Sequence, residues 1–443
     1  MEEDSHLEGG ENNREIEIAP ALIAVHPTQD SVAVAVGSDL RVFDLRTDCG
    51  VSLVDDSVEP FHKDSVRAIR YSANGKLFVS AGDDKLVKIW STDTWRCISS
   101  VSSEKRVSAV SISNDGLYVC FADKFGVVWV VDIHDLDVNG ALSNRKAAPL
   151  LAHYCSIITR LEFSPDGCFI VSADRDFKIR VIVFLVWFLC FRRSLWKGLM
   201  KYKAFALVIH SEFVSSLAFI CSKDLPQGFL LSGSGDSTVR LWDITSGSLL
   251  DTCEVGSQAA LSESDGSGES CCAVTDLCAI QDSNFVAVAI QGLQEIILLG
   301  CDFSSKTLSV AKVVSITEEN FIPTSMGSSS AGELLWFVTG ISKLRDADHK
   351  SLARLKVVSG LRKKGHPESP DQHKPVVLGD EEIPGSQKLL EKLQGSLSID
   401  QSVFSAAAEA IKTAMCNLLI KKQYPTESRE WRKRTRNDRK AKQ

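Results

Sequence analysis

The sequence predicts an all-β chain: a seven-bladed β-propeller with a short C-terminal helical extension and a basic tail. Three observations predict it. A unit of about 40 residues recurs along the 443-residue chain. Each copy breaks into short runs of β-branched and aromatic residues. An Asn-Gly or Asp-Gly pair separates runs in several copies, as a tight hairpin requires.

The clearest copies run over 62–90 and 210–242. The first ends Ser80-Ala-Gly-Asp-Asp-Lys-Leu-Val-Lys-Ile-Trp90 and the second Ser232-Gly-Ser-Gly-Asp-Ser-Thr-Val-Arg-Leu-Trp-Asp243. A third begins at His153, and a fourth, at 107–132, has Val131-Asp132 in place of Trp-Asp. Weaker copies at 21–46, 273–299 and 321–358 complete a ring of seven. A four-stranded antiparallel sheet cannot bury both faces alone, and radial stacking of blades buries them. The pattern is that of WD40 repeats, in which a His near the start and an Asp before the Trp form a structural hydrogen-bond network. Counting six residues back from the Trp position assigns it to His62, Asp84 and Trp90, to His153 and Asp176, and to His210, Asp236 and Trp242.

Residues 1–19 read as an acidic disordered N-terminus without a signal peptide, and 20–358 as the propeller. Residues 359–386 read as a Pro- and charge-rich linker, 387–422 as a helical extension and 423–443 as a basic tail. The chain carries −7 overall, yet 421–443 holds ten basic and three acidic residues. Acidic body and basic tail are therefore separate surfaces. Segment 181–209 is anomalous: it opens with eleven consecutive apolar residues where an inter-blade loop should be polar. Eleven are too few to span a bilayer, so no membrane role is expected. The segment reads either as translated intron or as an extended buried strand with an insertion.

Thirteen cysteines form no C-x-x-C pair and read as buried small hydrophobes; no metal site is expected. No Gly-x-Gly-x-x-Gly opens a helix after a strand, and Walker, His-Glu-x-x-His and Gly-x-Ser-x-Gly motifs are absent from the sequence. An interaction platform, not an enzyme, is the expectation.

Two motifs are more distinctive than a generic repeat: Ala122-Asp-Lys-Phe-Gly126 and Ala173-Asp-Arg-Asp-Phe-Lys-Ile-Arg180. With their flanks they resemble the WD-repeat non-catalytic subunit of eukaryotic tRNA (guanine-N7-)-methyltransferase. The resemblance is strong over 51–181, resumes at 210–250 and is weak from there to 358. It implies a heterodimer whose catalytic partner binds S-adenosylmethionine and forms 7-methylguanosine in the tRNA variable loop. This chain would hold that enzyme in its active shape, help place the tRNA and bind no cofactor itself. The partner would dock beside the fourth blade, with Arg180 pairing an acidic residue and Lys178 and Arg175 beside it. Alternation sends Lys178 and Arg180 to one strand face. Lys88 and Arg240 hold the same register, so an ordinary solvated face is the competing reading.

In the tail, Arg432, Lys433, Arg434 and Arg436 form either a nuclear import signal or a tRNA phosphate contact, and the expected location is the nucleus. The rival function is a generic WD40 scaffold, such as a ubiquitin-ligase substrate receptor or a ribosome-assembly factor. The former commonly shows Trp-Asp-x-Arg, whereas this chain has Trp242-Asp-Ile-Thr245.

Overall fold

The structure, a computed structural model, describes residues 21–394 apart from 56–60, 135–146, 154–155, 185–204, 208–209, 257–271, 281–282, 292, 317–320, 330–333, 342–352 and 362–374. Residues 395–422 of the expected helical extension and the basic tail lie outside the described residues.

Seven four-stranded antiparallel sheets form the ring. Their spans are 22–50, 66–102, 107–152, 158–207, 214–254, 274–315 and 321–377, numbered here as blades 1 to 7. Alternation decides the packing. In Ile179–Val183 of blade 4, Ile179 and Val181 are buried while Arg180 is half-buried. The apolar faces meet between neighbouring blades, as with Val79, Ile89 and Val87 of blade 2 against Val110, Val119 and Phe121 of blade 3.

Among the described residues each sheet consists of four consecutive strands, with no strand exchanged between the first and last blades. Side chains and backbone close the ring instead. The Ile23 amide donates to Ser325 Oγ at 3.3 Å, and Thr324 Oγ1 donates to the Ala21 carbonyl at 2.7 Å. A nine-residue helix, Ser386–Gln394, lies over this seam. Its Leu389 and Leu393 are fully buried in one cluster with Phe43 of blade 1 and Trp336 of blade 7. Lys388 pairs with Asp48 at 2.6 Å, and Arg41 donates to the Leu393 carbonyl at 3.2 Å. Gly385, at φ +82°, makes the sharp entry to the helix; a Cβ there would meet Leu389 and Phe43 at 2.9 Å.

Two stretches differ from expectation. Val376–Val377 lies in the stretch read as linker, yet it pairs with Ala353–Ser359 as the outer strand of blade 7. The anomalous segment contributes to blade 4 at both ends. Ile179–Val183 continues the third strand, and Phe205–Leu207 pairs with it as the fourth. Phe184 is buried between Tyr118 and Phe163, with ring centroids at 5.5 and 4.9 Å. The start of the apolar run is thus propeller core. Residues 185–204, on which the intron reading turns, lie outside the described residues.

Candidate partner-docking surface

The repeated His and Asp build the scaffold of the surface. In blade 2, Trp90 Nε1 donates to Ser80 Oγ at 3.0 Å, and Ser80 Oγ lies 2.8 Å from His62 Nε2. His62 Nδ1 lies 2.8 Å from Asp84. Donor accounting then runs one way: indole to hydroxyl, hydroxyl to imidazole, imidazole to carboxylate. Blade 5 repeats it through Trp242, Ser232, His210 and Asp236. Burial raises the Asp84 and Asp236 carboxyls, but hydrogen bonds and charge from their histidines outweigh it and hold both below the ordinary range.

Blade 4 departs from the assigned network. His153 Nδ1 meets Asp174 at 2.7 Å, not Asp176, and His153 Nε2 meets Ser172 at 2.7 Å. Asp174 also accepts the amides of Asp176 and Lys178 at 2.8 and 3.0 Å. The anchoring carboxylate has moved from the turn to the end of the second strand. Blade 3 does the same: Asp123 accepts the amides of Phe125 and Val127 and the Trp129 indole. Blade 2 cannot use this position, because Gly82 stands there and a Cβ would meet the Ser65 carbonyl at 2.1 Å. The relocated Asp is what sets the two distinctive motifs apart. A sequence signal existed: Ser172-Ala-Asp174 aligns with Ser80-Ala-Gly82.

Arg180, Lys178 and Arg175 separate in space. Arg180 Nη1 donates to the Ala152 carbonyl at 2.8 Å, tying its guanidinium to the outer strand of blade 3. Lys178 stands two residues earlier, half-buried, just before the strand begins. Arg175 turns toward the ring axis, where it lines a cavity of about 440 Å³ with Arg67, Arg106, Lys124 and Asp83. The competing reading of a solvated face does not describe this register. Lys88 is 2 % exposed and paired with Asp55, and Arg240 reaches Asp236 at 3.6 Å.

The other end of the central channel holds a cavity of about 550 Å³. Arg70 of blade 2 and Arg160 of blade 4 share Glu162, and Arg160 reaches Asp276 of blade 6 at 3.6 Å. Asp276 also accepts Ser216 Oγ of blade 5 and the Met326 amide of blade 7. Burial brings the Arg70 guanidinium down to about 9 and pushes the Cys278 thiol up to about 11. Cys278 is therefore a thiol, not a nucleophilic thiolate, at neutral pH.

Both ring nitrogens of His26, His62, His153 and His210 are engaged. None of these four is placed to act as a general base. Among the described residues no group of three His, Cys, Asp or Glu could hold a metal, and no helix is long and apolar enough to cross a membrane.

Comparison with known proteins specifies the ring. A family described as "tRNA methyltransferase TRM82 WD40 domain" matches residues 205–351, and the general WD domain, G-beta repeat matches 58–91 and 145–182. Over these stretches the chain is similar to the TRM82/WDR4 group of WD40 proteins. The family match thus falls largely on the half where the motifs resemble it least. Relatives named tRNA (guanine-N(7)-)-methyltransferase non-catalytic subunit include one from Danio rerio, 33% identical over 251 residues, covering 55% of this chain and 53% of that one. Another, from Dictyostelium discoideum, is 27% identical over 256 residues, covering 55% and 50%. The chain thus matches about half the length of these relatives. Among solved structures, the RRP9 WD40 repeats superpose with TM-score 0.57 at 16% identity, covering 76% of this chain and 91% of that one. That likeness shows the propeller fold alone.

Proposed function

We propose that this chain belongs with the TRM82/WDR4 proteins and is the non-catalytic subunit of a tRNA (guanine-N7-)-methyltransferase. It grips a catalytic subunit that binds S-adenosylmethionine, keeps that enzyme in its active shape and helps place tRNA for 7-methylguanosine formation. The observation that carries the reading is sequence similarity to relatives bearing that name. The geometry supports it: the four buried histidines are committed to scaffold bonds, and Arg180 is held against the neighbouring blade. The docking surface is the strand face of blade 4 bearing Arg180, with Lys178 just before that strand. The basic tail supplies nuclear import through Arg432, Lys433, Arg434 and Arg436.

Co-expression with a candidate catalytic subunit tests the reading. The complex is expected to co-purify and to form 7-methylguanosine in tRNA, while neither chain alone does so efficiently. A catalytic subunit equally active with and without this chain overturns it.

A further inference from the structure

We propose that Phe125 and the cations beside it, Lys105, Arg106, Lys124 and Arg175, form a site for single-stranded RNA at the mouth of the central channel. The inference rests on the position of Phe125. The turn of blade 3 runs Asp123-Lys-Phe-Gly126, and its positive-φ residue is Gly126, as Lys85 and Ser237 are in blades 2 and 5. Phe125 therefore stands where those blades carry the His-bonded Asp84 and Asp236. Since Asp123 has taken over the anchoring, position 125 is released from scaffold duty. It carries an aromatic ring that is 48% exposed.

The backbone of the turn that carries the ring is held by hydrogen bonds. Asp123 accepts the Phe125 amide at 2.8 Å, and Gly126 donates back to the Asp123 carbonyl at 2.9 Å. The Lys105 and Lys124 ammonium groups lie over the ring, 5.2 and 5.7 Å from its centroid, where an incoming base would take their place on the π face. Lys124 also lines the mouth cavity with Arg67, Arg106 and Arg175, and Asp83 is the one carboxylate among the lining residues. Cations outnumber carboxylates four to one around about 440 Å³. An exposed aromatic ring among cations is the combination that takes an unstacked nucleobase and its flanking phosphates. An acidic protein surface would use the cations but would gain little from the ring.

This deepens the proposed role in placing tRNA and is tested apart from it. The full chain, without the catalytic subunit, is titrated into a fluorescein-labelled single-stranded uridine 12-mer between 50 and 200 mM salt. Phe125→Ala is expected to weaken binding about five-fold or more with the salt dependence unchanged. Phe125→Trp is expected to retain binding. Arg106→Ala and Lys124→Ala are each expected to lower the salt slope by about 0.7. Equal affinity of native chain and Phe125→Ala overturns the site. Displacement by polyglutamate as effective as by unlabelled 12-mer also overturns it, in favour of an acidic protein. Co-purification with the catalytic subunit, measured on the same variants, reports on the subunit reading alone.

Discussion

At the scale of single residues, a two-residue shift of one carboxylate separates blades 3 and 4 from blades 2 and 5. Asp174 accepts from His153 and from two amides, so Asp174→Ala strands three buried or half-buried donors. Thermal or denaturant unfolding should show a loss of about 1–3 kcal/mol or more. Asp176→Ala, on the turn, should cost under about 1 kcal/mol. Equal losses would show that the network runs through the turn after all. Counting back from the Trp position pointed to Asp176 because spacing records sequence distance. Which carboxylate reaches the imidazole depends on where the strand ends, which the backbone of the turn decides.

Protonation adds a second residue-scale expectation. Burial holds the His153 imidazole below its ordinary value of 6.5; Asp174 opposes that shift, and the charges of Arg180 and Lys178 add to it. A depressed folded value means that protons favour the unfolded chain. The His153 contribution is therefore full above pH 6.5 and declines as pH falls below it. The depressed carboxyls of Asp84, Asp174 and Asp236 contribute fully above their ordinary 3.8 and lose that contribution on further acidification. Melting temperature should fall in two stages, and His153→Gln should flatten the first. For docking, Arg180→Glu should reduce co-purification with the catalytic subunit by ten-fold or more if the pair is buried, as removal of one charged partner costs about 2–5 kcal/mol. Near-native far-UV circular dichroism would show that the ring survives.

At the scale of elements, the helix 386–394 does what a shared strand would otherwise do at the ring's seam. It joins the last blade to the first through Leu389 and Leu393, both fully buried. Leu389→Ala should cost about 2–5 kcal/mol. Lys388→Ala, which removes a surface pair to Asp48, should cost under about 1 kcal/mol. Hydrogen exchange in blades 1 and 7 should rise in the first variant and not in the second. The pattern of 387–394 announced a helix, but not its seat. Amphipathicity shows that a face must be buried, and only the meeting of blades 1 and 7 supplies the matching apolar groove.

At the scale of the whole molecule, the channel is crossed by charge. Arg70, Arg160, Glu162 and Asp276 link blades 2, 4 and 6, so the ring is braced across its axis as well as around its rim. The tail sits apart in charge: residues 421–443 hold ten basic residues against three acidic ones in a chain that carries −7. Removing residues 429–443 should shift a fluorescent fusion toward the cytoplasm. Unchanged nuclear location, with a weaker salt dependence of tRNA binding, would give the tail to phosphate contact instead.

The repeat period, the hairpin pairs and the alternation within each run made the blades legible, because each depends only on neighbours a few residues apart; the degenerate copies left six or eight blades open, and the seven sheets of the ring fix the count. The tertiary structure alone decided that Asp174 replaces Asp176, that Val376–Val377 completes the last blade, and that Arg175 faces the axis while Arg180 faces a neighbouring strand. Each of these is a meeting of groups distant in sequence or a choice between adjacent rotations of the backbone. For Asp174 the alignment of Ser172-Ala-Asp174 with Ser80-Ala-Gly82 held a signal that spacing from the Trp position overrode; for the others local pattern carries no record, and closure of the ring selects one outcome.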